Sequence, residues 1–178
     1  GSEPDADLLP ERRALFRDPI YAWANASVMS HFTEGIVTAS TTRHELAAEW
    51  EIGWQNIDDD LDHEVLGIYR YHWNRFYRAF AGASLEDERD AAVFGIEALL
   101  PLNLDGRAWV DSRGHGRFAL AKELALTTRL FAVGEVEYDT DDAWEGSAGL
   151  RLRVHRHGSL AFEWHSEFGF GGGVELIY

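Results

Sequence analysis

The 178-residue chain has a length typical of one domain, and its hydrophobic content of 46% lies in the ordinary globular range. Its formal net charge of −15 excludes the basic surface that nucleic-acid binding requires, and the absence of cysteine excludes disulfides and thiolate metal sites. No apolar run approaches the roughly 18 residues of a membrane-spanning helix, but membrane strands need only about 9–11 alternating residues.

The first segment, residues 1–19, is predicted to be an irregular lead-in on the periplasmic side, followed by a barrel over residues 20–178. Gly1 and Ser2 are typical of a tag remnant. Residues 3–18 are charged and contain two prolines, which favours an irregular or briefly helical segment. This segment is where we expect a periplasmic or membrane partner to bind if the barrel serves as an anchor.

From Ile20 onward the hydrophobic pattern has a period of two, which predicts strands. In the stretch ELAAEWEIGWQ, for example, Leu46, Ala48 and Trp50 share one face while Glu45 and Glu49 share the other. Twelve strands are predicted, and ten is the alternative because the second strand, GIVTASTT, has a weak pattern. The predicted strands are 20–32, 35–42, 44–57, 63–73, 75–86, 90–100, 102–112, 115–126, 128–139, 144–156, 159–168 and 172–178.

The links between these strands alternate in character. Long, acidic or glycine-rich links are predicted at IDDDLD, EDERD, SRGHG, DTDDA and FGFGG, and tight links at Trp73-Asn74, Pro101, Thr127-Thr128 and His157-Gly158. Long loops at one end and short turns at the other are typical of outer-membrane barrels. The predicted fold is therefore all-β, a closed antiparallel transmembrane barrel in the bacterial outer membrane.

A soluble β-sandwich or a lipocalin-like barrel would also alternate, with its apolar faces pointing inward. Three features favour an outward apolar face. Alanine, glycine and leucine dominate the apolar rows, and the segment formed by Gly173, Leu176 and Tyr178 resembles the C-terminal signal read by the outer-membrane insertion machinery. Aromatic residues lie near strand ends, as membrane interfaces favour, at Tyr71, Trp73, Tyr77, Tyr138, Trp144 and Tyr178. The expected partners are therefore outer-membrane lipids and that machinery.

If the apolar rows face lipid, the charged rows face the lumen. The predicted lumen charge network is Glu49, Glu51, Arg70, Arg78, Glu97, Arg107, Glu123, Glu135, Glu137, Arg151, Arg153 and Glu163, with Glu45, His72, Asp105, Asp111, Arg117, His165, Glu167 and Glu175 also on the polar rows. Two interpretations stay open. The charges either pair across a narrow lumen as structural filling, or form a polar path for a small cation attracted by the acidic excess.

One pair of residues suggests a metal site. Met29 and His31 lie at i, i+2 in the first predicted strand, opposite the row that includes Val28 and Phe32, so both are expected to face the lumen. A thioether with an imidazole suits copper, especially Cu(I), better than calcium or magnesium. Copper is accordingly the one possible cofactor.

Catalysis has less support in the sequence. Asp58, Asp59, Asp60, Asp62 and His63 could form a rim cluster like those of lipid-modifying barrel enzymes, although acidic loops are usually only solvated. No phosphate-binding glycine loop, nucleophile elbow or zinc-helix motif is present. The protein is predicted not to be an enzyme, and a rim-located lipid-modifying enzyme is the second alternative.

The middle of the chain resembles the outer-membrane copper resistance protein B family. The resemblance runs from about Leu46 to Arg156 and lies mainly in the segments YRYHWNRFYRAFAGASL, VFGIEALLPLNLDGRAWVDSRGHGR and LALTTRLFAVGEVEYD. It implies a role in copper tolerance or transport across the outer membrane. The predicted function is copper homeostasis or passage of a small cation, and the first alternative is a structural anchor or subunit of a membrane-associated complex.

Overall fold

Twelve strands make up most of the chain. The structure is a computed structural model that describes residues 18–54, 62–86, 90–141 and 143–178. No helix within these ranges is long and apolar enough to cross a membrane. One 3-10 turn, Pro101–Asn103, separates the sixth and seventh strands. The strands are β1 (Tyr21–Met29), β2 (Phe32–Ser40), β3 (His44–Gly53), β4 (Asp62–His72), β5 (Tyr77–Glu86), β6 (Ala91–Leu100), β7 (Leu104–Asp111), β8 (Gly116–Ala125), β9 (Leu130–Asp139), β10 (Ala143–His155), β11 (Gly158–His165) and β12 (Gly169–Ile177).

The strands form one closed antiparallel barrel in which each strand pairs with its neighbours in sequence. Closure comes from β1 and β12, which pair from Asn25 opposite Ile177 to Met29 opposite Gly173. Because every strand has two partners, the barrel has no open edge. The predicted fold and the count of twelve are confirmed, including the weakly patterned second strand, and the alternative of ten strands is wrong.

The outer wall of the barrel is apolar. An aliphatic band runs around its middle, at Val37, Ile96, Val136, Leu150 and Val174, all of them exposed. Exposed aromatic residues flank the band, at Tyr21, Trp23, Tyr69, Trp73, Tyr77 and Tyr178 on one side and at Trp54, Tyr138, Trp144, Trp164 and Phe170 on the other. A soluble barrel would bury such residues, whereas a lipid-facing wall requires this arrangement. The predicted outward orientation of the apolar rows is confirmed.

The links at the two ends of the barrel differ less in length than the sequence predicts. The terminal end, which carries residues 18–20 and Tyr178, has links of residues 41–43, 73–76, 101–103, 126–129 and 156–157. The opposite loop end has links of residues 30–31, 54–61, 87–90, 112–115, 140–142 and 166–168. Most loop-end links are therefore as short as turns, because residues predicted to be in loops, such as Phe170 opposite Trp164, pair within strands.

The first hairpin corrects the predicted strand boundaries. The first predicted strand extends to residue 32, but β1 ends at Met29, and β2 begins at Phe32 after a two-residue turn. The turn restarts the alternation, so Phe32 faces the lumen and is only 1% exposed, although its row was expected to face lipid. The segment VMSHFTE contains no glycine or proline that would have marked this turn.

The lumen wall is not purely polar. Ala47, Leu66, Ile68, Phe80 and Val93 form a buried apolar cluster on β3 to β6. These side chains occupy inward positions, between inward charges on the same strands. A second buried cluster, of Met29, Phe32, Ala161 and Phe168, lies near the loop end. These two clusters fill part of the lumen, so the charged groups are concentrated in the space that remains.

Candidate functional site

Three arginines cross the lumen. Each one reaches a glutamate four strands further around the closed barrel. These cross-lumen bridges join Arg107 Nη1 to Glu49 Oε2 at 2.9 Å, Arg117 Nη1 to Glu64 Oε2 at 3.2 Å and Arg151 Nη2 to Glu34 Oε1 at 3.4 Å. Because the bridged strands lie far apart on the wall, these side chains divide the lumen into smaller spaces.

The most buried charges form what we name the Arg70 cluster, which consists of Arg70, Arg78, Arg107, Glu45, Glu49 and Glu97. Arg70 is 5% exposed; it donates to Glu45 at 2.8 Å and to Glu97 at 3.0 Å, and also donates to Glu49. Arg78 pairs with Glu97 at 2.8 Å. The guanidinium and carboxylate groups of the cluster are equal in number, so it is close to neutral and serves as structural filling of this part of the lumen.

An open space in the lumen, which we name the upper cavity, lies toward the loop end. Its volume is about 370 Å³. The large apolar residues of its lining are Ile36, Trp50, Leu66 and Trp109, and the charged part consists of Glu34, Glu49, Glu51, Glu64, Glu135, Glu137, Arg107 and Arg117. Six carboxylates and two guanidinium groups therefore line this cavity, where Arg107 pairs with Glu49 and Arg117 with Glu64. Two arginines outside the lining also pair with its carboxylates, Arg151 with Glu34 and Arg70 with Glu49. In this cavity, unlike the Arg70 cluster, acidic residues outnumber basic ones.

A smaller space, the lower cavity, lies on the β5 to β9 side of the lumen and has a volume of about 150 Å³. It is lined by Arg78, Glu97, Asp105, Arg107 and Glu135, together with small residues of β6 to β8. The lower cavity lies closer to the terminal end than the upper cavity, and Arg107 and Glu135 line both. Three members of the Arg70 cluster, Arg78, Glu97 and Arg107, form part of its wall.

The other members of the predicted charge network lie in different surroundings. Glu51 lies 3.5 Å from His165, Glu137 lies 3.9 Å from Arg117, and Glu163 lies 3.8 Å from Arg151. Arg153 stacks over the Phe131 ring at 4.7 Å, and Glu123 is exposed on β8 near the terminal end. The structure thus brings most of these residues together in the lumen but leaves Arg153 and Glu123 near its rim.

Two carboxylates that line the upper cavity, those of Glu34 and Glu64, were missed by the sequence reasoning. Glu34 was placed in a link because the second strand was expected to begin at residue 35. Glu64 lies near the loop end of β4, where two apolar inward residues, Leu66 and Ile68, separate it from Arg70 and His72 of the same row. Counting alternation from a turn at residues 30–31 would have found Glu34.

The predicted copper ligands lie near the loop end of the lumen. Met29 faces inward and is 3% exposed, packed with Phe32 and Phe168. His31 lies in the turn, outside the strand in which it was placed, and its Nδ1 is buried without a hydrogen-bond partner in the described ranges. No group of three or more His, Asp or Glu side chains suited to a metal ion occurs in the same ranges.

The residues of the predicted insertion signal lie on and just after β12. Leu176 and Tyr178 point outward, and the terminal Tyr178 is 75% exposed. Gly173 lies opposite Met29, where a Cβ would collide with the backbone of Val28. Glycine at this position therefore allows β12 to approach β1 at the closure.

Several sequence predictions fall on residues outside the described ranges. They include Asp58, Asp59 and Asp60 of the acidic rim cluster and nearly all of the lead-in segment, residues 3–18. Of that cluster, Asp62 begins β4 and His63 follows it on the same strand. Asp18 is described, and its carboxylate accepts hydrogen bonds from the backbone and the hydroxyl group of Thr42.

Comparison with known proteins gives a structural likeness alone. No family model matches the chain, and no curated protein matches it. Among solved structures, the barrel is similar to KdgM porin in complex with disordered oligogalacturonate, with a TM-score of 0.54, and to KdgM porin alone, with a TM-score of 0.51. Both are 13% identical in sequence, and each match covers 87% of this chain and 97% of the porin chain. The protein has the closed antiparallel barrel fold of the outer-membrane type.

Proposed function

We propose that the protein is a channel of the bacterial outer membrane that admits small cationic solutes. The observation that carries this proposal is the lining of the upper cavity, in which six glutamates outnumber two arginines, and still outnumber them when Arg70 and Arg151, which pair with Glu49 and Glu34, are counted. A cleft lined by one sign of charge with low-dielectric walls concentrates counter-ions. The apolar outer wall with its aromatic belts supports a position within a bilayer, and the fold shared with KdgM porin supports passage of solutes.

The charge of the lumen argues against the kind of ligand held by the structural neighbour. Oligogalacturonate, which is bound in the KdgM porin complex, carries one carboxylate on each sugar. The carboxylates of the upper cavity would repel such a chain, because like charges in a narrow, partly desolvated space interact strongly. We therefore assign small cations, rather than acidic oligosaccharides, as the solutes of this channel.

Ion selectivity in a planar bilayer tests the proposal. Under a KCl gradient, we expect the purified protein to give a reversal potential of the sign that shows K⁺ to be more permeant than Cl⁻. Added trigalacturonate should leave the current unchanged. Preference for Cl⁻, or block by trigalacturonate, would contradict the proposed cation pathway.

A barrel that inserts but conducts nothing would favour the anchor function. In that case the protein should co-purify with a periplasmic or membrane partner, and deletion of residues 3–18 should release that partner. The insertion itself is checked by heat-modifiable migration on a denaturing gel.

Copper binding is the second candidate function, favoured by the inward thioether of Met29 and the unpaired buried Nδ1 of His31. We expect saturable Cu(I) binding in a competition titration, weakened about tenfold or more in Met29→Leu or His31→Ala because each change removes a soft or imidazole ligand. Leucine nearly conserves the volume of methionine, so the barrel should stay folded. His155→Ala, at the terminal end, is the matched control. Equal affinity in all four proteins would exclude these two residues as ligands.

A further inference from the structure

The upper and lower cavities share two charged side chains in their linings, Arg107 and Glu135. Arg107 lies on β7 and Glu135 on β9, two strands away along the same part of the wall. We infer that these two residues form the constriction that sets conductance and charge selectivity between the cavities. This inference rests on the proposed function, since it describes how that pathway is controlled.

Arg107 is held across the lumen by several contacts. Its Nη1 donates to Glu49 Oε2 at 2.9 Å, and its Nε lies 3.6 Å from Glu97 Oε1. The guanidinium carbon lies 4.7 Å from the centre of the Phe80 ring and 4.8 Å from that of Trp109. Cation–π contacts of this kind add attraction to the ion pairs and fix the plane of the guanidinium group. The side chain is therefore a fixed positive barrier between the two cavities.

Glu135 provides the opposite charge in the part of the wall that both cavities share. It is exposed to the lumen and makes no hydrogen bond or salt bridge with any residue that the structure describes. Glu49 and Glu97, in contrast, are both engaged by arginines of the Arg70 cluster. A cation passing from one cavity to the other therefore meets a free carboxylate at Glu135 while it passes the guanidinium group of Arg107.

The opposite charges of Glu135 and Arg107 define the class of solute that can pass. A small monovalent or organic cation can exchange part of its hydration shell for the Glu135 carboxylate, as charged side chains do in selectivity filters. Arg107 limits the rate, because it both narrows the passage and repels the cation. It also prevents the negative excess of the upper cavity from holding the cation too tightly to leave.

Single-channel recording of two variants tests the inference. We expect Arg107→Gln to raise K⁺ conductance by about twofold or more, because a barrier charge is lost. We expect Glu135→Gln to lower the K⁺/Cl⁻ permeability ratio by about threefold or more, because the free carboxylate is lost. In Arg107→Gln, Glu49 keeps Arg70 and Glu97 keeps both Arg70 and Arg78, so no carboxylate is left unpaired.

Arg153→Gln and Glu123→Gln are the matched controls, because both residues point inward near the terminal end without lining either cavity. They should leave conductance and selectivity unchanged. If the wild-type channel selects cations but Arg107→Gln and Glu135→Gln leave its conductance and selectivity unchanged, the inferred constriction is wrong. The proposed function would then still stand. A wild-type channel that selects anions would overturn the proposed function first.

A second measurement does not depend on whether Arg107→Gln folds. The chain contains no cysteine, so Glu135→Cys creates a single reactive thiol. Modification by a cationic methanethiosulfonate reagent should reduce the open current by about half or more, because the added group fills the constriction. An open channel whose current is unaffected after complete modification, shown by mass spectrometry, would overturn the inference.

Discussion

Replacing Arg70 with alanine should lower the free energy of unfolding by about 3–5 kcal/mol, the usual cost of removing one partner from a buried ion pair. Arg70 is 5% exposed and contacts three carboxylates, those of Glu45, Glu49 and Glu97. Without it, two arginines remain in the Arg70 cluster to balance three glutamates. Urea unfolding in detergent micelles or lipid vesicles, followed by tryptophan fluorescence and heat-modifiable migration, measures the loss.

Arg78→Ala is the matched control within the same cluster. The Arg78 side chain is 38% exposed and pairs with Glu97, which also keeps Arg70. Solvent can replace an exposed partner, so this change should cost about 1 kcal/mol or less. Equal losses in the two variants would show that the cluster does not depend on the burial of Arg70.

Placing an arginine on the outer wall tests which face meets lipid. Leu150 points outward at the middle of β10 and is 46% exposed. We expect Leu150→Arg to lower the free energy of unfolding from a bilayer by about 2–4 kcal/mol, because a charge at the bilayer midplane is poorly solvated. Reversible urea unfolding from phospholipid vesicles provides the measurement.

Val154→Arg supplies a control on the same strand and the same face, closer to the terminal end. There the arginine can reach the headgroup region, so the cost should fall to about 0–1 kcal/mol. A depth-dependent difference between the two variants is specific to a membrane-facing wall. Equal and negligible costs would mean that water, not lipid, covers the outward face.

Strand number and sidedness could be predicted from the sequence because both depend on local pattern. Successive strand residues point to opposite faces, so rows such as Leu46, Ala48 and Trp50 reveal an apolar face without any knowledge of the partner strands. The composition of the rows and the aromatic residues at strand ends then indicated which face meets lipid. The number of strands and the side that the apolar rows face can be predicted correctly even when a strand boundary is misplaced by one or two residues.

The first hairpin shows where local pattern fails. A turn without glycine or proline, at residues 30–31, shifted the expected face of Phe32 and hid the inward position of Glu34. A shift of one residue exchanges the two faces of a strand, so a small boundary error changes which residues line the lumen.

The amino-acid sequence alone thus specified a twelve-stranded barrel with apolar residues outside and charged residues inside. Which charges meet was settled by barrel closure, because Arg107 and Glu49 are 58 residues apart in the chain yet lie within hydrogen-bond distance across the lumen. Closure also places a neutral Arg70 cluster beside an acidic upper cavity, with Arg107 and Glu49 in both, although both are built from the same alternating rows of arginine and glutamate. Alternation constrains the direction of each side chain, whereas pairing across a lumen depends on strand register and on the curvature of the whole wall.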